Sequence, residues 1–142
     1  MPIPGIILMT LQGGSMKIKY QGNKKISAHT GVFSINTDQP AEAGGEGTAP
    51  SPFELFLASL GTCAGIYAVG FMQSRNIQPE GFGIDMSFES GSSSGLISRI
   101  IMSVKLPEAF PAQYRDSIIR AMGLCTVKKH LSENIKIETV IV

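Results

Sequence analysis

Two cysteines are the residues in this chain best suited to covalent chemistry: Cys63, inside the run SPFELFLASLGTCAGIYAVGFMQSR, and Cys125, immediately before TVKKHL. A thiol becomes a useful nucleophile when a helix N-terminus or nearby cations stabilise its thiolate, and when a second thiol can trap the oxidised product. Cys125 meets the first condition. It precedes a short helix whose next turn carries Lys128 and Lys129, so the helix dipole and the ammonium groups can both hold its thiolate. Cys63 falls in the middle of an apolar helix, where a cysteine serves either chemistry or packing as a small buried hydrophobe. The packing alternative stands for Cys125 as well, with its lysines as a solvated face. Neither cysteine forms a C-x-x-C pair or has a histidine at metal-ligand spacing, so no metal site is expected.

Other reactive side chains are more scattered. Glu54 is a candidate carboxylate partner for Cys63, but nine residues of helix rotate it by about 900° and separate the two by ~13 Å along the axis. Its place in a capping box is the competing explanation. Glu42 and Glu46 lie on a glycine-rich loop that could swing over a site. His29 ends a strand, and His130 caps or solvates the short helix. No phosphate-binding glycine loop follows a strand, and there is no G-x-S-x-G elbow and no acidic cluster for a hard metal.

The elements that must position these groups follow from periodicity and turn chemistry. KIKYQG, KKISAH and VFSINT alternate polar and apolar residues and are separated by Gly22-Asn23 and Thr30-Gly31, which predicts three antiparallel strands. The thirteen residues DQPAEAGGEGTAP, with three glycines and two prolines, form a loop long enough to belong to a site. A long helix then starts at Ser51, with Pro52 in its first turn and Glu54 closing an S-x-x-E capping box, and it ends near Arg75-Asn76. Leu55 to Met72 is eighteen residues without a charge, the lower edge of a membrane span. Ser59, Gly61, Thr62, Cys63 and Gly65 dilute it, and a buried core helix accounts for the same run. Ala58, Gly61, Gly65, Ala68 and Met72 share one flat face, against which a second long helix or a sheet can pack. GFGIDMSFES and GLISRIIMSVKL make a hairpin. A helix with a Tyr114, Ile118, Ile119 and Met122 stripe follows, stopped by Gly123, then a short helix from about Thr126 to Leu131 and a closing strand in NIKIETVIV. The order is βββ-α-ββ-αα-β, an α+β chain.

Composition agrees with one globular domain: 142 residues, 43% hydrophobic, 16% charged, with a formal charge of +1. That length buries a core without disulfide staples, so a reducing, cytoplasmic setting is expected. The weak net charge gives no stripe for phosphates and argues against nucleic acid. Residues 1–15 lack the charged start and cleavage signature of a signal peptide and read as an N-terminal extension to a domain over 16–142.

The block SPFELFLASLGTC, the long helix leading to a hairpin, and a second cysteine before a short basic helix together resemble the OsmC/Ohr superfamily of osmotically inducible and organic hydroperoxide resistance proteins. The resemblance covers roughly Met16 to Val142. It implies an intertwined α+β homodimer with antiparallel sheets packed around long central helices, a packing that Gly61 and Gly65 suit. It also implies a metal-free, cofactor-free peroxidase of oxidative stress defence. Cys63 would be the peroxidatic cysteine, leaving a sulfenic acid after attack on the O–O bond, and Cys125 the resolving cysteine. An external dithiol or a lipoylated protein would reopen the disulfide. Phe53, Phe56, Leu60 and Tyr67 would form an apolar substrate wall favouring bulky organic peroxides.

Departures from the family pattern place the chain nearer its OsmC-like branch. No arginine precedes Arg75 to hold the Cys63 thiolate, the residue after Pro52 is Phe53 with Glu54 one place later, and Thr126 stands where the established reductases carry proline. Lys24, Lys25 or His29 would have to replace the arginine. The competing expectation is a non-catalytic dimer that binds a hydrophobic small molecule or senses redox state.

Overall fold

Alternating side chains sort the first strands into one antiparallel sheet. The computed structural model describes residues 14–132 together with Glu138 and Ile141, so the expected closing strand and residues 1–13 of the expected extension lie outside the described residues. The chain divides into two compact units, one up to Ala58 and one from Ser59 onward.

In the first unit, β1 (Lys17–Tyr20), β2 (Ile26–Thr30) and β3 (Phe33–Thr37) pair in sequence order. Gly22 and Asn23 both take left-handed conformations in the first turn, as that dipeptide predicts. The register aligns Ile18, Ala28 and Ile35 in one row and Tyr20, Ile26 and Thr37 in the next. One sheet face is therefore apolar. The other carries Lys17, His29 and Ser34 beside Lys19, Ser27 and Asn36.

Asp38 follows β3 and has no exposed surface. Its carboxylate accepts the Thr48 hydroxyl at 2.7 Å and the backbone N–H groups of Thr48, Gln39 and Glu46 at 3.1, 2.8 and 3.3 Å. These bonds, the Thr48 hydroxyl foremost, hold its pKa down at about 2. The glycine-rich loop is thus wrapped around a buried anion. A Cβ at Gly45 would overlap the Gln39 carbonyl oxygen, which explains a glycine there.

The long helix α1 (Pro52–Gln73) opens as expected. Glu54 N–H donates to Ser51 Oγ at 3.3 Å, while Ser51 N–H donates to Glu54 Oε2 at 2.7 Å, a complete capping box. It closes with Asn76 left-handed, Ile77 N–H bonded to the Met72 carbonyl at 2.9 Å and Asn76 N–H to Gln73 at 3.1 Å. This is a Schellman stop, with asparagine in glycine's usual place. Among the described residues α1 is the one helix long and apolar enough to cross a membrane. Within the second unit its apolar face has another use, since Ala64, Ala68, Phe71 and Met72 pack with Phe110, Ile118 and Met122 in the core.

That core is completed by a hairpin of β4 (Gly83–Ser90) and β5 (Ile97–Lys105), and by α2 (Arg115–Met122) and α3 (Thr126–Ser132). Cross-strand rows Ile84/Val104 and Met86/Met102 set one apolar hairpin face. The Gly61–Gly65 strip, expected to suit a twin helix, is occupied by this hairpin: a Cβ at Gly61 would lie 2.5 Å from Met86 Sδ, and one at Gly65 3.8 Å from Ile84 Cδ1. Of the α2 stripe, Ile118 and Met122 are buried, whereas Ile119 is exposed. Gly123 does cap α2, though in a right-handed conformation.

Candidate functional site: the Cys63–Cys125 pair

Cys63 sits half-buried in the fourth turn of α1. Cys125 follows α2 and is the N-cap of α3, its carbonyl accepting the Lys129 N–H at 3.0 Å. The fold brings the two together: Cys63 lies near enough to the Cys125 thiol to raise its pKa. Both are free thiols.

The electrostatics of Cys125 run opposite to the expectation from its local sequence. Lys128 and Lys129 are exposed, and the residue itself is only 2% exposed. Burial, followed by the neighbouring Cys63 thiol, pushes its pKa above the ordinary thiol value, against the opposing pull of the Lys128 and Val127 N–H groups, the former 3.5 Å from Sγ. The helix start is present, but desolvation outweighs it. The neutral thiol is therefore the favoured form of Cys125.

One turn beyond Cys63, Tyr67 reaches the same helix start. Its hydroxyl lies 3.0 Å from Thr126 Oγ1, a bond that either hydroxyl can donate. Tyr67 had been expected as part of an apolar wall, and its ring carries this polar tether. Thr126 was visible in the sequence only as a departure from proline. The signal that could have paired them was positional, since Tyr67 follows Cys63 by one helical turn and Thr126 directly follows Cys125.

A cavity of about 410 Å³ opens beside Cys125. Leu60 and Ala64, which bracket Cys63 on α1, form one wall; Ile100, Met102 and Val104 of β5 form another, and Met122 closes it from α2. Among the described residues Lys128 is its one charged lining residue. A space of this size and polarity suits a small apolar molecule. The β5 contribution was legible as strand alternation but not as a site, because nothing local says what an apolar strand face covers.

Leu60 thus joins the cavity. Phe53 and Phe56 belong to the first unit, where they are exposed and stacked on each other with ring centroids 5.7 Å apart. Glu54 is held by the Ser51 backbone N–H and hydroxyl, which lower its pKa. Of the groups considered as replacements for the family's arginine, Lys25 is paired with Glu46, and the His29 ring is held between Ser27 Oγ at 2.9 Å and Ser34 Oγ at 3.2 Å. Glu42 is exposed in the loop. His130 donates Nδ1–H to the Thr126 carbonyl at 2.7 Å, serving its own helix.

A sequence profile described as OsmC-like protein matches residues 45–140. The chain belongs to the family of OsmC-like proteins. Solved structures share its fold. A Psychrobacter arcticus protein assigned to osmotic stress induction and detoxification aligns at 21% identity over 81% of this chain and 85% of its own, with a TM-score of 0.70. An OsmC-like protein from Mycoplasma pneumoniae aligns at 12% identity over 84% and 86%, with a TM-score of 0.67. An organic hydroperoxide resistance protein from Legionella pneumophila aligns at 18% identity over 82% and 88%, with a TM-score of 0.51. At these identities the likeness establishes the α+β fold with antiparallel sheets. Among curated proteins no sequence matches.

Proposed function

We propose that this protein reduces organic hydroperoxides with its two cysteines, as a cytoplasmic homodimer in oxidative stress defence. The observation that carries the reading is the proximity of Cys63 to Cys125, which lines an apolar cavity. Two free thiols in contact, one of them exposed enough to be reached, suit a cycle in which one sulfur is oxidised and the other resolves it. The name of the Legionella pneumophila structure, an organic hydroperoxide resistance protein, agrees with that chemistry.

In this mechanism the Cys63 thiolate attacks the terminal oxygen of ROOH. The O–O bond breaks, ROH leaves with a proton from water, and Cys63 becomes a sulfenic acid, two electrons more oxidised. Cys125 then attacks that sulfur, releasing water and closing a disulfide. Burial that raises the Cys125 pKa keeps it a thiol until its proton can leave with the departing hydroxide. An external dithiol restores both thiols through two exchanges, and no metal is needed. The cavity walls Leu60, Met102, Val104 and Met122 favour an organic R group over the hydrogen of hydrogen peroxide.

A count of free thiols tests this reading. One equivalent of cumene hydroperoxide should consume two thiols per chain, faster than hydrogen peroxide does, and a dithiol should restore them. Cys63→Ser should abolish the reaction, whereas Cys125→Ser should permit a single oxidation that stops at a sulfenic acid. Unchanged thiols would support the second reading, a binding protein or redox sensor. That reading draws on the size of the cavity and on two lysine and histidine side chains, Lys25 and His29, already engaged elsewhere.

A further inference from the structure

We infer that Tyr67 and Thr126 are positioning residues that hold Cys125 in register for disulfide closure with Cys63. The inference rests on the reading of the two cysteines as a redox pair. Two contacts join α1 to the start of α3, and they run in parallel: Cys63 beside Cys125, and the Tyr67–Thr126 hydrogen bond one helical turn and one residue further on. The first of these changes during the redox cycle, because oxidation of Cys63 alters the group that faces Cys125. The second involves neither sulfur.

Helix α3 needs such a tether. It has seven residues, too few to hold a position by helical propensity alone, and its polar N-cap contact is a long N–H to sulfur approach of 3.5 Å. Closure of a disulfide demands that two sulfurs move from contact to a bond of about 2.05 Å, within a narrow range of Cβ separations. A hydroxyl pair 3.0 Å long on the residue next to Cys125 restricts how far that sulfur can drift while Cys63 is oxidised. The chain thereby uses Thr126, a residue with a side-chain donor, where proline would fix the helix start by its ring alone.

Disulfide exchange with Ellman's reagent reads this directly, without peroxide. The Cys63 thiolate displaces one aryl thiolate and forms a mixed disulfide. Cys125 then attacks the Cys63 sulfur, loses its proton to water and expels the second aryl thiolate. The ratio of the second rate to the first should fall roughly three- to tenfold in Tyr67→Phe and in Thr126→Val, as loss of one partly buried hydrogen bond implies. Thr126→Ser should retain the wild-type ratio, and the double variant Tyr67→Phe/Thr126→Val should be no slower than either single one. A merely structural role would lower thermal stability while leaving the ratio unchanged, and that result overturns the inference. So does a wild-type protein that never releases the second aryl thiolate. If the ratio shifts as expected but peroxides leave the thiols intact, the positioning role stands and the hydroperoxide reading alone falls.

Discussion

At the scale of single residues, burial decides which charge a side chain carries, and here it acts in opposite directions. Cys125 is enclosed with two N–H groups that do not offset its desolvation and with a neighbouring thiol, so its pKa rises. Asp38 is enclosed with three N–H groups and a hydroxyl, so its pKa falls to about 2. The folded carboxyl thus titrates below the ordinary value of about 3.9, and its stabilisation is fully present above that value and lost as pH falls through about 2. Asp38→Asn, which turns an amide N–H toward backbone donors, should lower the melting temperature at neutral pH. The gap from wild type should narrow as pH drops from about 4 to about 2. Circular dichroism melts at several pH values would measure it, and a gap independent of pH would show that the carboxylate charge does not organise the loop. The cysteines were legible because there are only two and each sits at a recognisable helical position. The ionisation of Cys125 was not, since its local sequence shows a helix start and two lysines while the desolvation comes from α1 and β5, residues far away in the chain. Asp38 likewise looked like one more polar loop residue, because its donors come from up to ten positions downstream.

At the scale of elements, what is encoded locally was readable and what depends on a distant neighbour was not. The turn at Gly22-Asn23, the Ser51–Glu54 capping box and the strand alternation all draw on residues within a few positions, and each is found where the sequence puts it. The small-residue strip on α1 announces that something approaches closely, but not what. The neighbour within the described residues is β4. A paired substitution follows from this. Gly65→Ala would bring its new methyl to ordinary contact, 3.8 Å from Ile84 Cδ1, and should stabilise α1 by about 1 kcal/mol through helix propensity. Gly61→Ala would meet Met86 Sδ at 2.5 Å, and the overpacking, about 1–3 kcal/mol, should cancel or exceed that gain. Denaturant melts of both variants would test the assignment. Equal stabilisation would mean Met86 yields freely, and losses at both positions with a change of assembly state would restore the twin-helix packing.

At the scale of the whole molecule, the sheet of the first unit poses a solvation problem that one chain leaves open. Antiparallel sheets ordinarily cover one face and wet the other. Here the face that alternation makes apolar is exposed, with Ile18 at 63%, Tyr20 at 70% and Phe33 at 71% relative exposure. The opposite, polar face buries Ser27 behind the Gln21 and His29 side chains. A contiguous apolar face of this kind marks an interaction surface, and a second copy of the chain is the occupant that the proposed homodimer supplies. If the sheet is completed only in the proposed dimer, the proposed activity falls on dilution. Analytical ultracentrifugation should give a dimer at micromolar concentration, and Tyr20→Lys, which sets a charge on that face opposite Ile26 at the end of the edge strand β1, should shift it toward monomer with loss of thermal stability. A charge change on the polar face, Lys19→Glu, should leave the assembly unchanged, since that side already suits water. A wild-type protein that sediments as a monomer at all accessible concentrations would sink the homodimer, and the exposed apolar face would then have to be covered by a different partner.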